Sequence, residues 1–302
     1  MTEENILERV RKRAAIPLNS RLIVGIGDDC AVYRPQGSNE DLLITTDMLL
    51  EGAHFKRGTH AAEEVGHKVL ARGLSDIAAM GGRPMVCLLS LAVPRWATPG
   101  WIDRCFGGLR KLSRRTGTAL AGGDLARSDT FASDIVVIGS VPKGAALLRS
   151  GARVGDGVYI SGRLGGSALG LRTRRGRAWR RHLRPEARLE LGEFLRRRLH
   201  ATAAMDLSDG LSLDLRRLCL ASKVSAEIDA PPVYPGASLE DALHGGEDYE
   251  LLFTAAPGSR VPAKFGKLPL TRIGVIRRGQ PGRVLLGGRA LAPLGYDHFK
   301  RS

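Results

Sequence analysis

The chain has 302 residues, 43% of them hydrophobic and 25% charged, with a formal net charge of +15. That length and balance fit two ordinary globular domains or one large one, and no apolar run approaches the roughly 20 residues that cross a bilayer. Cys30, Cys87, Cys105 and Cys219 form no Cys-x-x-Cys pair, which argues against a zinc site or a disulfide framework and for a reducing, cytoplasmic setting.

In chain order, MTEENILERVRKRA reads as an amphipathic helix without a signal-peptide pattern. DLLITTD (41–47) is a β-rich run ending in polar residues. Residues 61–82 have helical spacing and a Gly stop. PMVCLLSLAVP (84–94) reads as a buried strand, 98–117 as a helix opened by Thr-Pro, and 133–142 as a further strand. Residues 147–162 read as a linker running into a new strand. Helical patterns follow near 186–199 and 210–221, and strands at 249–254 and 270–276. The reading is two α/β domains, 1–145 and 146–302.

The charge is segregated. Arginines crowd residues 171–200, while acids sit in short clusters flanked by Gly, Ser or Thr. These clusters hold Asp28 and Asp29; Asp47; Asp76; Asp124; and Asp206 with Asp209. Ligands in α/β folds gather at strand ends beside glycine. Asp209 can also be read as a helix cap, and Asp28–Asp29 as turn residues. Asp76 inside a helical pattern needs a reason, because mid-helix Asp is unfavourable. Together the acids suggest a hard cation such as Mg²⁺, with Thr45 and Thr46 as added oxygens. No His or Cys cluster competes for a softer metal. Neither a Walker sequence nor G-x-G-x-x-G is present. Acids and excess arginine coexist naturally where metal ions bridge Asp to phosphate.

GIGDDCAV, TTDMLLEGAHF, LSDIAAMGG, AGGD, LLRSGARVGDGVYISGRLGGSALGL, MDLSDGLSLDL, GGEDYELLFT and GYDHF appear in that order. In these stretches, from residue 25 to residue 299, the chain resembles the thiamine-monophosphate kinase family of the aminoimidazole ribonucleotide synthetase superfamily. The resemblance implies a two-domain α/β (α+β) fold of that type, whose N-terminal domain forms a dimer-interface sheet or barrel and whose C-terminal α/β domain completes the site. It implies ATP-dependent phosphorylation of thiamine monophosphate to thiamine diphosphate by a homodimer using several Mg²⁺ ions. It places Asp29, Thr45, Thr46, Asp47, Asp76, Asp124, Asp206 and Asp209 at the metals, and Gly123, Asp124, Arg149 and Ser208 at ATP. It places His54, Glu247 and Tyr296 at the substrate, with Asp28 orienting its loop. Where the family pattern carries Asn, Thr and an acid, this chain has Gly73, Leu125–Ala126 and Gly166.

The attacking group is a phosphate oxygen already largely ionised at pH 7, so no catalytic base is expected. The arginines at 172–184 lie outside every one of these stretches and are expected on the surface, attracting anions at long range. Two alternatives stand beside this reading. One is another ATP-using enzyme of the superfamily, of the purine-biosynthesis or selenophosphate-synthetase type. The other is a basic nucleic-acid-binding protein, disfavoured because aromatics in 171–200 are sparse. No membrane association is expected.

Overall fold

Between Glu40 and Leu50, side chains alternate between covered and open, with Asp41, Leu43 and Thr45 buried. That period of two is the mark of a strand with one covered face. In the computed structural model, which describes residues 3–14 and 21–299, this segment is β3 of a six-stranded sheet.

Helix α1 (Glu3–Ala14) precedes β1 (Leu22–Val24) and β2 (Ala31–Tyr33). After β3 come α2 (Ala62–Ala79), β4 (Arg83–Val93), α3 (Pro99–Thr116), β5 (Ala119–Arg127) and β6 (Ala132–Pro142). The sheet order is β1-β2-β3-β6-β4-β5. β3 and β6 pair antiparallel along their whole length, from Glu40 opposite Pro142 to Leu50 opposite Ala132. β5 joins β4 in parallel and forms the edge.

A second sheet follows. Its elements are β7 (Gly157–Ser161), α4 (Gly166–Thr173), α5 (Gly176–Leu183), α6 (Leu189–Phe194) with a π turn over 195–199, β8 (Ala203–Asp206) and α7 (Leu211–Ala221). Then come β9 (Ser225–Ile228), α8 (Leu239–His244), β10 (Leu251–Ala255), β11 (Lys264–Phe265), β12 (Leu268–Arg277), β13 (Val284–Leu286) and β14 (Arg289–Ala290). The order is β14-β13-β9-β12-β7-β10-β8, with β11 on β12. No helix among the described residues is long and apolar enough to cross a membrane.

Helix α2 is the shared element. It packs on β3, β6 and α3 of the first sheet and on β8 and α6 of the second half. Buried Val65, Val69, Leu70, Leu74 and Ile77 show why it is apolar almost all round. Gly73 lets it lie close to the sheet, since a Cβ there would come within 2.6 Å of Val137 Cγ2. An Asn at this position does not fit the present packing. At Gly166 a Cβ would meet Arg181 Cδ at 2.7 Å, so the missing acid leaves room for that arginine.

The face of the first sheet turned from α2 is open. Met48, Asp134, Ser90 and Asp124 form one cross-strand row on it. Met48, Leu88 and the edge residues Leu120 and Leu125 are exposed apolar side chains, and every residue of β5 is exposed.

Candidate functional site

Three carboxylates meet where the two halves join. Asp29 lies in the turn before β2, Asp76 in the last turn of α2, and Asp206 ends β8. One oxygen from each lies within 4.8 Å of the other two. Burial and mutual repulsion hold Asp76 and Asp206 well above the ordinary carboxylate range. Hydroxyls on neighbouring elements, Thr45 on β3 and Ser75 on α2, fix their geometry. Thr45 Oγ1 donates to Asp76 Oδ2 at 2.5 Å, and Ser75 Oγ donates to Asp206 Oδ2 at 2.6 Å. Asp29 Oδ2 is buried and has no hydrogen-bond partner.

The adjacent acids Asp28 and Asp29 share one counter-charge. The Arg149 guanidinium donates to Asp29 Oδ1 at 2.5 Å, and its backbone N–H donates to Asp28 Oδ2 at 3.1 Å. Asp28 also accepts the Asp29 N–H at 3.0 Å, which shapes the turn. Burial and the neighbouring Asp29 still push Asp28 up to about 7. Arg149 thus supplies protein positive charge at this pair. It stands against carboxylates, with its Nε buried and unpartnered.

A second polar cluster adjoins the first through α2. Arg72, one turn before Asp76, binds Asp47 with contacts of 2.6 to 3.0 Å. Its other nitrogen lies 3.8 Å from Glu247 Oε1. Lys68, fully buried, donates to Glu247 Oε2 at 2.9 Å and to the His54 carbonyl at 3.1 Å. Burial alone would raise Glu247, but Lys68, His182 and Arg72 bring it down to about 2. The buried imidazoles behave oppositely. Burial, with Lys68 nearby, lowers His60 and His182 to about 4 each. His182 is therefore neutral beside Glu247, although the two lie 3.4 Å apart.

The loop carrying Glu247 is strained and held from all sides. Glu247 (φ +63°) and Tyr249 (φ +51°) are both left-handed, which non-glycine residues rarely adopt. Their N–H groups donate to the Ser208 and Leu207 carbonyls. Asp248 accepts the N–H groups of Gly165 and Ser167, capping α4. Glu250 takes Arg181, Arg188 and Ser161.

The sequence-predicted residues thus divide. Asp29, Asp76, Asp206, Thr45 and Arg149 come together. Asp47 is tied to Arg72, and Asp209 to Arg217. Ser208 contributes a carbonyl to the Glu247 loop. His54 is buried, its Nδ1 accepting the Leu50 N–H, and its ring is 5.0 Å from His298. Tyr296 is half exposed and meets the same His298; its N–H donates to the Asp209 carbonyl. Thr46 points to the open face and bonds Asp134. Asp124 lies on that face too, at the edge strand beyond β6 and β4. The structure does not bring these two to the carboxylate trio. Gly123 marks a close approach, since a Cβ there would lie 1.8 Å from the Leu89 carbonyl oxygen.

Lys68, Arg72, Ser75, His182 and Arg217 were not singled out in the sequence, nor was Asp214, which accepts the N–H groups of Asp209 and Gly210 and pairs with Arg217. The one local signal was the pair of cations, four apart, inside an apolar helix. The expectation for the basic segment needs correction at one arginine. Arg172, Arg174, Arg175, Arg177, Arg180 and Arg184 are exposed, Arg172 pairing with Asp241 at the surface. Arg181, however, turns inward to Asp248 and Glu250.

Comparison with known proteins gives a consistent picture. Residues 27–141 match the N-terminal domain of AIR synthase related proteins, and 153–287 match their C-terminal domain. The thiamine-monophosphate kinase of Bacillus subtilis is 35% identical, covering 93% of this chain and 95% of its own. That of Escherichia coli K12 is 37% identical, over 93% and 94%. A solved structure of AaThiL complexed with AMPPCP and TMP superposes with a TM-score of 0.85 at 31% identity, over 99% of this chain and 97% of that one.

The neutral imidazoles predict a pH signature. A histidine held at about 4 in the fold and about 6.5 when unfolded leaves the unfolded chain binding more protons between those values. Its contribution is complete above about 6.5 and is lost as pH falls. The stability advantage of the wild type over His60→Gln, measured by urea unfolding, should therefore shrink from pH 7.5 to pH 5. An advantage that is constant or grows on acidification contradicts a neutral His60.

Proposed function

The chain belongs to the AIR synthase related proteins, and we propose that it transfers the γ-phosphoryl group of ATP to thiamine monophosphate, giving thiamine diphosphate and ADP. In this reading residues 1–145 and 146–302 are the two domains, and the site lies between them. The observation that carries the reading is the carboxylate trio. Two buried acids and a half-buried one crowd together, and one of their oxygens, Asp29 Oδ2, lacks any hydrogen bond. An oxygen-only donor set suits Mg²⁺. Asp29, Asp76 and Asp206 are the proposed holders, and Asp47 and Asp209, each now paired with an arginine, are assigned to the metals with them. Bound there, Mg²⁺ neutralises phosphate charge and lets two polyanions approach.

The chain's own residues supply the rest. Arg149 is poised to exchange Asp29 for a phosphate oxygen, which a guanidinium can grip through two N–H groups. Gly123, Asp124 and Ser208 are assigned to the nucleotide. Glu247, strongly ionised, suits the cationic thiazolium or the amino group of the substrate. His54 and Tyr296 border the same pocket. No side chain has to remove a proton, because the acceptor phosphate is already an anion.

A homodimer completes the reading. The open sheet face presents Met48 and Leu88 to solvent, and β5, with Leu120 and Leu125 exposed, forms the edge of the sheet, so that a second copy can cover both. Ligand roles for Thr46 and Asp124 belong with that face and a second copy. The setting is cytoplasmic.

The reaction is tested with purified protein, ATP, Mg²⁺ and thiamine monophosphate. Thiamine diphosphate and ADP should form in equal amounts and cease in EDTA. Asp76→Asn should lower turnover on the order of a hundredfold or more while circular dichroism stays unchanged. Faster phosphorylation of free thiamine than of the monophosphate would overturn the assignment. For assembly, sedimentation should give twice the 32.5 kDa chain mass, and Leu88→Glu should shift it to monomer. A wild-type monomer at micromolar concentration contradicts the dimer.

A further inference from the structure

Lys68 stands out among groups with no assigned role. It sits on α2 among buried Val65, Val69, Leu70 and Ala71, with no solvent exposure. An apolar side chain would fill this place without desolvating a charge. A buried ion pair is weak support for stability, since well-packed apolar replacements often match or exceed it. The geometry offers another reason. The Lys68 ammonium spans two parts of the proposed substrate pocket, Glu247 Oε2 at 2.9 Å and the His54 carbonyl at 3.1 Å. It thereby takes one carboxylate oxygen of Glu247, while the other, Oε1, is buried without a hydrogen bond and faces Arg72 at 3.8 Å. His182 and Arg72 flank the same carboxylate, at 3.4 and 3.8 Å.

We propose that Lys68 is a positioning residue: it clamps Glu247 Oε2 to the His54 backbone and so fixes the orientation in which the Glu247 carboxylate meets the cationic, amino-bearing ring system of the phosphorylated substrate. This rests on the reading of Glu247 as a substrate contact. Lys68 itself touches neither substrate nor nucleotide. It acts across 179 residues of sequence, joining the helix that carries Asp76 to the strained loop that carries Glu247. The left-handed backbone at Glu247 and Tyr249 alone does not choose a rotamer for the carboxylate, whereas a buried ammonium at hydrogen-bond distance does.

The test separates Michaelis constants for the two substrates in the full-length enzyme. Lys68→Met should raise KM for thiamine monophosphate on the order of tenfold to a hundredfold, the span of a lost charge-assisted hydrogen bond. KM for ATP should stay within about twofold. Adding Lys68→Met to Glu247→Gln should bring no further loss in KM, because the clamp then has nothing to hold. If Lys68→Met alone does not fold, the double variant, which buries no lone charge, is compared with Glu247→Gln. Equal changes in both Michaelis constants, or effects that multiply in the double variant, overturn the clamp. An unchanged KM for thiamine monophosphate in Glu247→Gln removes Glu247 from the substrate and the proposal with it. An unchanged KM in Lys68→Met beside a raised one in Glu247→Gln removes Lys68 alone.

Discussion

Three carboxylates within 4.8 Å of one another, two of them buried and one half-buried, are the constraint around which this molecule is built. Two unit charges about 4 Å apart near a protein surface repel by about 4 kcal/mol, and among the described residues Arg149 is the cation bonded directly to the trio. The crowding persists because each acid is fixed by a different element. Asp29 is held by its turn and Arg149, Asp76 by α2 and Thr45, and Asp206 by β8 and Ser75. Relieving the repulsion by moving apart would mean unpacking α2 from both halves of the chain. The strain is therefore stored in the junction, where a divalent cation and phosphate can relieve it.

The same helix places the organic end of the site. One face of α2 carries Lys68, Arg72 and Asp76 at successive four-residue steps, so a single rigid element reaches both clusters. Arg72 binds Asp47 and approaches Glu247, which couples the position of a candidate metal ligand to that of a candidate substrate contact. The GGEDYE loop is fixed in turn: Asp248 and Glu250 anchor it to α4, Arg181 and Arg188, and Glu247 meets Lys68, Arg72 and His182. Gly166 and Gly73 mark places where this chain trades side chains for close packing around that arrangement.

Much of the fold was legible because the strands and helices have local patterns. The β-rich run over 41–47 and the Thr-Pro and Gly bounds of α3 depend on neighbours in sequence. Asp76 was legible as a polar group in a helix with no reason of its own. The pairings were not legible. Arg149 finds Asp29, Ser75 finds Asp206, and Lys68 finds Glu247 across 120, 131 and 179 residues, distances at which one sequence carries no pattern. Thr45 and Thr46 hold a finer lesson. Neighbours on a strand point to opposite faces, so the pair cannot both serve one site within a chain, and only Thr45 turns to the trio. Arg181 was read as a surface charge because its partners, Asp248 and Glu250, lie more than sixty residues away.

The central claim, that the trio is crowded for the sake of a cation, is tested most directly by thermal unfolding of the nucleotide-free protein at pH 8 against Mg²⁺. A ligand that binds only the folded state raises Tm with its concentration. The wild type should therefore gain stability as Mg²⁺ rises. Asp206→Asn, which keeps an acceptor for Ser75 but removes one repelling charge, should be more stable than wild type in EDTA and indifferent to Mg²⁺. Asp206→Asn that is destabilised in EDTA and still responds to Mg²⁺ as the wild type does would contradict the account.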